Sequence, residues 1–496
     1  MTSTTDILTL QLASISGSLQ YFLPEIACSL FFVVLIIADL LLSENKKTYL
    51  WWIAIAGLTI TAVATFFQRG FGTQLLFNNT LEFTSQIIYI KLYFLAAVAM
   101  VLVYLKLFAD ANEKYVLRGE FYAFLFALLL GLNIMCMASN MLLLYMAIEL
   151  VSIACYVLVS VHNTKQSAEA GLKYLLFGAV TSAFMLYGMS WYYGLTGTLS
   201  WSEIPLENNG IIAIVLVLLS AGALFKLSLF PFHVWTPDVY QGAPAPVTAL
   251  LSIAPKGAGV VLIAHILQHI YPSLLSEVSG FNWVLKGLVI VIAATITIGN
   301  WSALAQNNVR RMLAYSAIAH AGFLLIGLIN PLIEITPIVY FYLSVYLLMN
   351  MAAFLMIDYL AKYIGSEQIT SFKGLGTQHP YLGILLLILM ISLTGLPPTL
   401  GFYGKLFIFS NLYNSYQLTQ DYWLMALLIF GLFNTVISLF YYLKIPYYLF
   451  FKTSETVVIV EKKSRFYFYF SILVLPLILL FFMPELLFNF INFICK

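Results

Sequence analysis

Four charged side chains stand in the middle of apolar runs: Glu149 in "LLLYMAIELVSIACYVL", Lys226 in "ALFKLSLFPFHVW", Lys256 in "LLSIAPKGAG" and Lys405 in "GLPPTLGFYGKLFIF". An ion at the centre of a bilayer costs about 2.5–3.5 kcal/mol on insertion scales, so a chain that keeps four of them keeps them for a task other than folding. The chemistry open to them is proton transfer. In low-dielectric surroundings an amine without a counter-ion holds its proton less tightly than in water, while a neighbouring carboxylate makes that hold depend on the partner. Lys256 and Lys405 have no evident carboxylate partner and suit a relay. Glu149 and Lys226 suit a switchable ion pair, or equally a static pair that only fixes helix packing.

Histidines supply the remaining titratable groups at depth. His320, in "AYSAIAHAGFLLIG", is a candidate link between Lys256 and Lys405, and His265 is a second relay candidate. His265 and His269 are one helical turn apart, but no third or fourth ligand is in view, so no metal is expected. His233, in "FPFHVW", is expected to steady a helix break, Lys91 to snorkel from the outer half of its span, and Asp358 to lie at the interface. The four cysteines are scattered without CxxC spacing, and no glycine fingerprint follows a strand, so no redox cofactor is expected in this chain. A net charge of +2 leaves no clustered basic face for a nucleic acid.

These residues need elements to hold them. The chain has 496 residues, 62% hydrophobic and only 9% charged, the composition of an all-α integral membrane protein forming a single membrane domain. Apolar runs place fourteen spans near 20–42, 49–67, 86–108, 120–138, 140–161, 170–194, 210–240, 245–270, 282–303, 310–329, 337–361, 381–413, 421–448 and 466–490. The seventh and twelfth would reach roughly 45–50 Å as straight helices, against a hydrocarbon core of about 30 Å. Both carry breakers, Pro231 and Pro237 in one, Pro397 and Pro398 in the other. Proline breaks survive in lipid only where freed carbonyls face protein or water, which implies a polar interior path.

The two broken spans lie five crossings apart, and an odd offset inverts a repeat. Spans 4–8 and 9–13 are therefore expected to be inverted five-helix repeats. The chain divides into N-terminal helices (1–110), a first repeat (118–270), a second repeat (282–450) and a C-terminal helix (464–496). Sixteen Lys and Arg fall on one set of alternate loops, including Arg310 and Lys462, and three on the other, which puts both termini outside. No Lys or Arg occurs in residues 1–20, so the first span is expected to be retained rather than cleaved.

The stretches "FHVWTPDVYQGAPAPVTALLS" (232–252), "SAEAGLKYLLFGAVTSAFMLYG" (167–188), "YMAIELVSIACYVLVS" (145–160) and "GLPPTLGFYGKLFIF" (395–409) closely resemble the antiporter-like N subunit of bacterial respiratory complex I, the counterpart of mitochondrial subunit 2. The resemblance runs through essentially the whole chain. It implies a proton-channel subunit of NADH:quinone oxidoreductase, with Glu149, Lys226, Lys256 and Lys405 matching the family's glutamate and lysine positions. Lys405 also favours the N type, because the M-type sister typically has glutamate there. NADH, FMN, iron–sulfur clusters and quinone are then expected elsewhere in the complex, with sister antiporter-like subunits, lipid and protons as partners. The implied location is a bacterial inner membrane, or alternatively a mitochondrial or thylakoid membrane. Two other readings fit the same residues: a subunit of a multi-subunit cation/proton antiporter, and a structural membrane scaffold whose charges only pin helices together.

Overall fold

The computed structural model describes residues 15–108, 114–201, 209–275, 281–329, 337–453 and 464–495. Lys462, Lys463, Lys496 and most of the segment before the first span lie outside the described residues. The chain is helical because the bilayer offers no partner to a backbone N–H or C=O, so each crossing must satisfy its own. Helices α1 (Leu23–Leu41), α2 (Tyr49–Phe67), α3 (Ser85–Phe108), α4 (Gly119–Met137), α5 (Met141–Ser160) and α6 (Lys165–Thr196) come first. Polar caps start several of them: Asn140 accepts from Leu142 N, and Thr164 and Ser167 form a reciprocal capping box at α6.

The seventh expected span is two helices, α7 (Asn209–Leu227) and α8 (Trp235–Gly242). Ser228 turns the chain with φ 60°, and the free N–H of Phe230 finds Thr295 Oγ1 at 3.0 Å. Pro231 lies in this break, but Pro237 does not: it occupies the first turn of α8, where its missing N–H leaves no helical bond unmade. Then follow α9 (Ala245–Leu275), α10 (Phe281–Leu304), α11 (Val309–Ile326), α12 (Pro337–Ile364) and a single turn, α13 (Leu375–Gln378). The twelfth expected span is again two helices, α14 (Pro380–Thr394) and α15 (Leu400–Thr419), with Pro397 and Pro398 between them.

Helix α16 (Tyr422–Phe451) completes the second half. The last expected span, read as continuous over 466–490, is corrected to α17 (Ser464–Phe482) and α18 (Pro484–Cys495), because Pro484 suits the start of a new helix better than the middle of one. A two-stranded antiparallel hairpin, β1 (Gln74–Leu76) and β2 (Leu81–Phe83), joins α2 to α3.

Among the described residues, twelve helices are long and apolar enough to cross a membrane. Burial sorts them into a centre and a rim. Every residue in the apolar stretch of α9 is buried, as are 83% in α11 and α12, against 28% in α16 and 33% in α6. The rim helices turn outward large apolar side chains such as Phe177, Phe184, Phe433 and Phe440. The ionisable residues of interest sit mostly on the central helices and beside the two breaks.

Candidate functional site

Helix α11 is a shared support for the buried cations. Lys256, on α9 and wholly buried, donates from Nζ to the carbonyl of Ala317 at 2.5 Å. Three residues along α11 comes His320, and three further comes Phe323, whose ring centre lies 4.9 Å from Lys405 Nζ. A spacing of three keeps these positions on neighbouring lines of one helix face, about 9 Å from end to end.

Lys405 belongs to α15, yet its partners belong to α14. Its Nζ, in a residue only 5% exposed, donates to Thr394 O at 2.6 Å and Leu393 O at 3.3 Å. Carbonyls in the last turn of a helix have no intrahelical donor, so the break creates the acceptors that the ammonium uses. Glycine makes the approach possible. Gly395 has φ +85°, and a Cβ there would lie 2.7 Å from Lys405 Cδ; a Cβ at Gly401 would fall 1.9 Å from Ser392 O.

His320 is held from both sides. Its Nδ1 bonds Tyr342 OH of α12 at 2.7 Å and its Nε2 bonds Tyr442 OH of α16 at 3.1 Å, while Tyr442 also bonds Ser316. In a neutral imidazole one nitrogen donates and the other accepts, so exchanging tautomers reverses both bonds. That is the chemistry of a group that passes a proton through its ring.

Lys226 is 2% exposed and its Nζ has no hydrogen-bond partner among the described residues. Glu149 is close enough for the two charges to interact, but they do not form the expected contact pair. The carboxylate of Glu149 is half-buried and is engaged instead by the Ser182 hydroxyl of α6. Leu227, beside Lys226, packs against Gly259, one turn past Lys256, so the two lysine-bearing helices touch here.

The expectation that Lys91 snorkels is overturned. Lys91 is fully buried, 2.9 Å from Glu25 Oε1 and 3.4 Å from Gln68 Oε1, and Gln68 in turn donates to Tyr21 O. A carboxylate on α1 provides in the interior what the headgroup region was expected to provide. Asp358 is 7% exposed: it accepts from Tyr104 OH at 2.7 Å and neighbours Lys362 Nζ at 3.3 Å and Arg310 at 3.5 Å. His265 is half-buried on α9, nine residues past Lys256, and the side chain of His269 lies outside the described residues. His233, half-buried, tilts against Phe230 inside the first break with its ring centre 6.0 Å away. Among the described residues no three His, Cys, Asp or Glu side chains gather as metal ligands.

Sequence reasoning missed Tyr342, Tyr442 and Ser316 around His320, Ser182 beside Glu149, and the whole Glu25–Gln68–Lys91 cluster. Glu25 carried a usable signal, since it stands in the apolar run "LPEIACSLFF" just as Lys226 stands in its own.

The family described as NADH:quinone oxidoreductase/Mrp antiporter, TM, matches residues 138–438, a stretch that contains Glu149, Lys226, Lys256, His320 and Lys405 and leaves Glu25, Lys91 and Tyr442 outside. NADH-quinone oxidoreductase subunit N of Chlorobium chlorochromatii is 36% identical over 446 residues, 88% of this chain and 86% of that protein. The subunit N of an Anaeromyxobacter species is 36% identical over 451 residues, 86% of each chain. Among solved structures, a chain of respiratory complex I from Thermus thermophilus superposes with a TM-score of 0.78 at 26% identity, covering 94% of this chain and 98% of that one. A chain of an archaeal membrane-bound sulfane sulfur reductase shares the fold, with a TM-score of 0.78 at 22% identity over 96% and 97% of the two chains. Identity at this level over most of both partners, on a backbone that superposes nearly end to end, makes this chain a member of the NADH-quinone oxidoreductase subunit N family.

Proposed function

We propose that this chain, an antiporter-like membrane subunit of NADH:quinone oxidoreductase, carries protons laterally through the membrane core, from the Glu149–Lys226 region to Lys256, through His320 to Lys405, and out. Quinone reduction elsewhere in the complex perturbs Glu149 and Lys226, and the altered field changes how tightly Lys256 holds its proton. The observation that carries the reading is the arrangement on α11, where one helix contacts Lys256 through Ala317, presents His320 to two hydroxyls, and lays Phe323 against Lys405. His265 is a side branch of this relay on α9. NADH, FMN, iron–sulfur clusters and quinone belong to other subunits, and sister antiporter-like subunits lie against the apolar rim.

In this reading α7 with α8, α14 with α15, and α17 with α18 each make one crossing, for fourteen in all. Matched packing supports the inverted repeats: α4 packs on α5 and α9 as α10 packs on α11 and α16, and α6 flanks both halves of the first break as α12 flanks both halves of the second. The membrane is the bacterial plasma membrane, with both termini outside.

The test is Lys405. Lys405→Ala in the assembled complex, reconstituted in vesicles, is expected to lower NADH-driven proton pumping by about tenfold or more, the scale of losing a proton-transfer group. Lys405→Arg should replace it poorly, because guanidinium does not readily release its proton. Full pumping by an assembled Lys405→Ala complex would overturn the terminal role.

A further inference from the structure

Behind His320 the polar side chains do not stop at Tyr442. Tyr441, the preceding residue on α16, sets its ring centre 4.3 Å from that of Tyr442 and engages the hydroxyls of both Tyr442 and Ser316. Tyr441 OH donates to Asn300 Oδ1 of α10 at 2.9 Å, and Asn300 Nδ2 donates onward to the backbone carbonyl of Asn434 at 3.3 Å and to its Oδ1 at 3.4 Å. Asn434 Nδ2 in turn donates to Phe430 O at 3.1 Å. All of these polar side chains are buried. Gly299 lets α10 come this close to the histidine, since a Cβ there would lie 2.7 Å from Ala319 N, one residue before His320. The lysine line itself makes no use of Asn300.

A hydroxyl has one hydrogen to give, so the partners settle which way each bond runs. Tyr342 OH meets only His320 Nδ1 among the described residues, so its hydrogen goes to that nitrogen and the ring hydrogen sits on Nε2. Nε2–H then donates to Tyr442 OH. Of the two hydrogens on Tyr442 and Ser316, one fills the bond between them and the other has the Tyr441 oxygen as its acceptor. Tyr441 is free to accept because its own hydrogen is committed to Asn300. That commitment does not reverse: an amide oxygen never donates, and turning the Asn300 amide over would set its oxygen against the carbonyl of Asn434. With the ring in the other tautomer, the Tyr342 hydrogen would have no acceptor, a costly loss in a buried site.

We propose that Asn300 is a positioning residue for His320: by fixing the direction of the hydrogen bonds from Tyr441 back to the ring, it holds the resting histidine as the Nε2–H tautomer and leaves Nδ1, on the Tyr342 side, as the base that takes a proton. What this does for transport rests on the relay reading above. A proton entering the ring forms its N–H bond at Nδ1, the imidazolium carries one hydrogen on each nitrogen, and departure of one proton returns it to neutral with nothing oxidised or reduced. Without Asn300 the Tyr441 hydrogen turns back toward Tyr442, which then has a hydrogen to spare for Nε2, and the two tautomers approach equal weight. Tyr441→Phe has the same consequence by another route, since it removes the oxygen that accepts the surplus hydrogen.

Nitrogen NMR of the intact complex carrying isotope-labelled histidine tests this, with His320 assigned as the ring resonances lost in His320→Gln. The wild-type enzyme is expected to show Nε2–H in excess by about tenfold, the scale of one net hydrogen bond, and both Asn300→Leu and Tyr441→Phe to bring the two forms to within about twofold of each other. The double variant should match the singles, because both cut one chain. A wild-type ring protonated on Nδ1, or an Nε2–H excess unchanged in the variants, would overturn the proposal. A mere structural pin between α10 and α16 would lower the stability of Asn300→Leu without moving the tautomer. Should that variant fail to assemble, Tyr441→Phe, which keeps the ring and removes one oxygen, decides alone. Pumping in vesicles, measured on the same variants, separates the two ideas. A mixed tautomer with several-fold slower pumping supports both; a mixed tautomer with wild-type pumping leaves Asn300 its role and takes His320 out of the relay; slower pumping with an unmoved tautomer overturns the positioning role.

Discussion

Removing one member of the Glu25–Lys91 pair leaves the other as an uncompensated charge in a site with no access to solvent. Such changes destabilise by about 3–5 kcal/mol, whereas replacing both partners with apolar residues of similar volume is often neutral. Lys91→Met alone is therefore expected to lower thermal stability of the purified complex, and Glu25→Leu with Lys91→Met to recover most of it; equal losses in the single and double variants would show that packing rather than charge is at stake. At Glu149 the expectation runs the other way. Glu149→Gln can keep the bond from Ser182 while discarding the charge that Lys226 feels, so it should fold normally and pump several-fold more slowly, and unchanged pumping would remove the electrostatic role. The burial of Lys226, Lys256 and Lys405 was legible because each stands in the middle of an apolar run. Glu25 escaped notice because a carboxylate just after Pro24 also suits the first turn of a helix, and Tyr342 and Tyr442 because they are two of 32 tyrosines and no spacing marks which of them a histidine will meet.

At the level of elements, close approach at the second break depends on absent side chains. A Cβ at Gly404 would lie 2.5 Å from Tyr342 Cδ2, so Gly404→Ala must push aside the ring that holds His320 Nδ1. Overpacking of this kind costs about 1–3 kcal/mol, and pumping is expected to fall together with stability; Gly287→Ala, where a Cβ meets nothing within 4 Å, is the control and should change neither. The breaks themselves were readable from length and proline content. Pro237 was misread because proline is as comfortable in the first turn of a helix as in a gap between two, and the last span because its apolar run continues across Pro484. The β-hairpin went unread, since strands of three residues leave too little alternation to stand out.

In the orientation proposed above, the charge asymmetry of the loops sets the direction of the whole molecule. With cysteine placed singly at position 310 or 462, labelling of intact cells is expected only from the cytoplasmic side. Three of the four native cysteines are buried and the fourth is half-buried, so the background is low. A probe reacting at position 462 from the periplasm would reverse the orientation and with it the sense of transport. That the chain is built of many apolar helices was legible because lipid imposes apolarity residue by residue. Which helices would be central was not, because α9 and α16 are comparably apolar in sequence and differ only in what packs around them: the apolar stretch of one is wholly enclosed and that of the other mostly faces outward.

A ring stands between the histidine and the terminal lysine. Phe323 packs 6.2 Å from His320 and 4.9 Å from Lys405 Nζ, and no hydrogen bond joins the two across it among the described residues. A conductor that was continuous from end to end would short-circuit the membrane it is meant to charge, since any proton pushed out could run back along the same wire. In the proposed relay the phenyl group would act as an insulator, passable only when the groups on either side move or water slips past it. Phe323→Ala should thus raise passive proton leak through the resting enzyme under an imposed potential while leaving Lys256 and Lys405 in place, so that the battery drains even when no electrons flow.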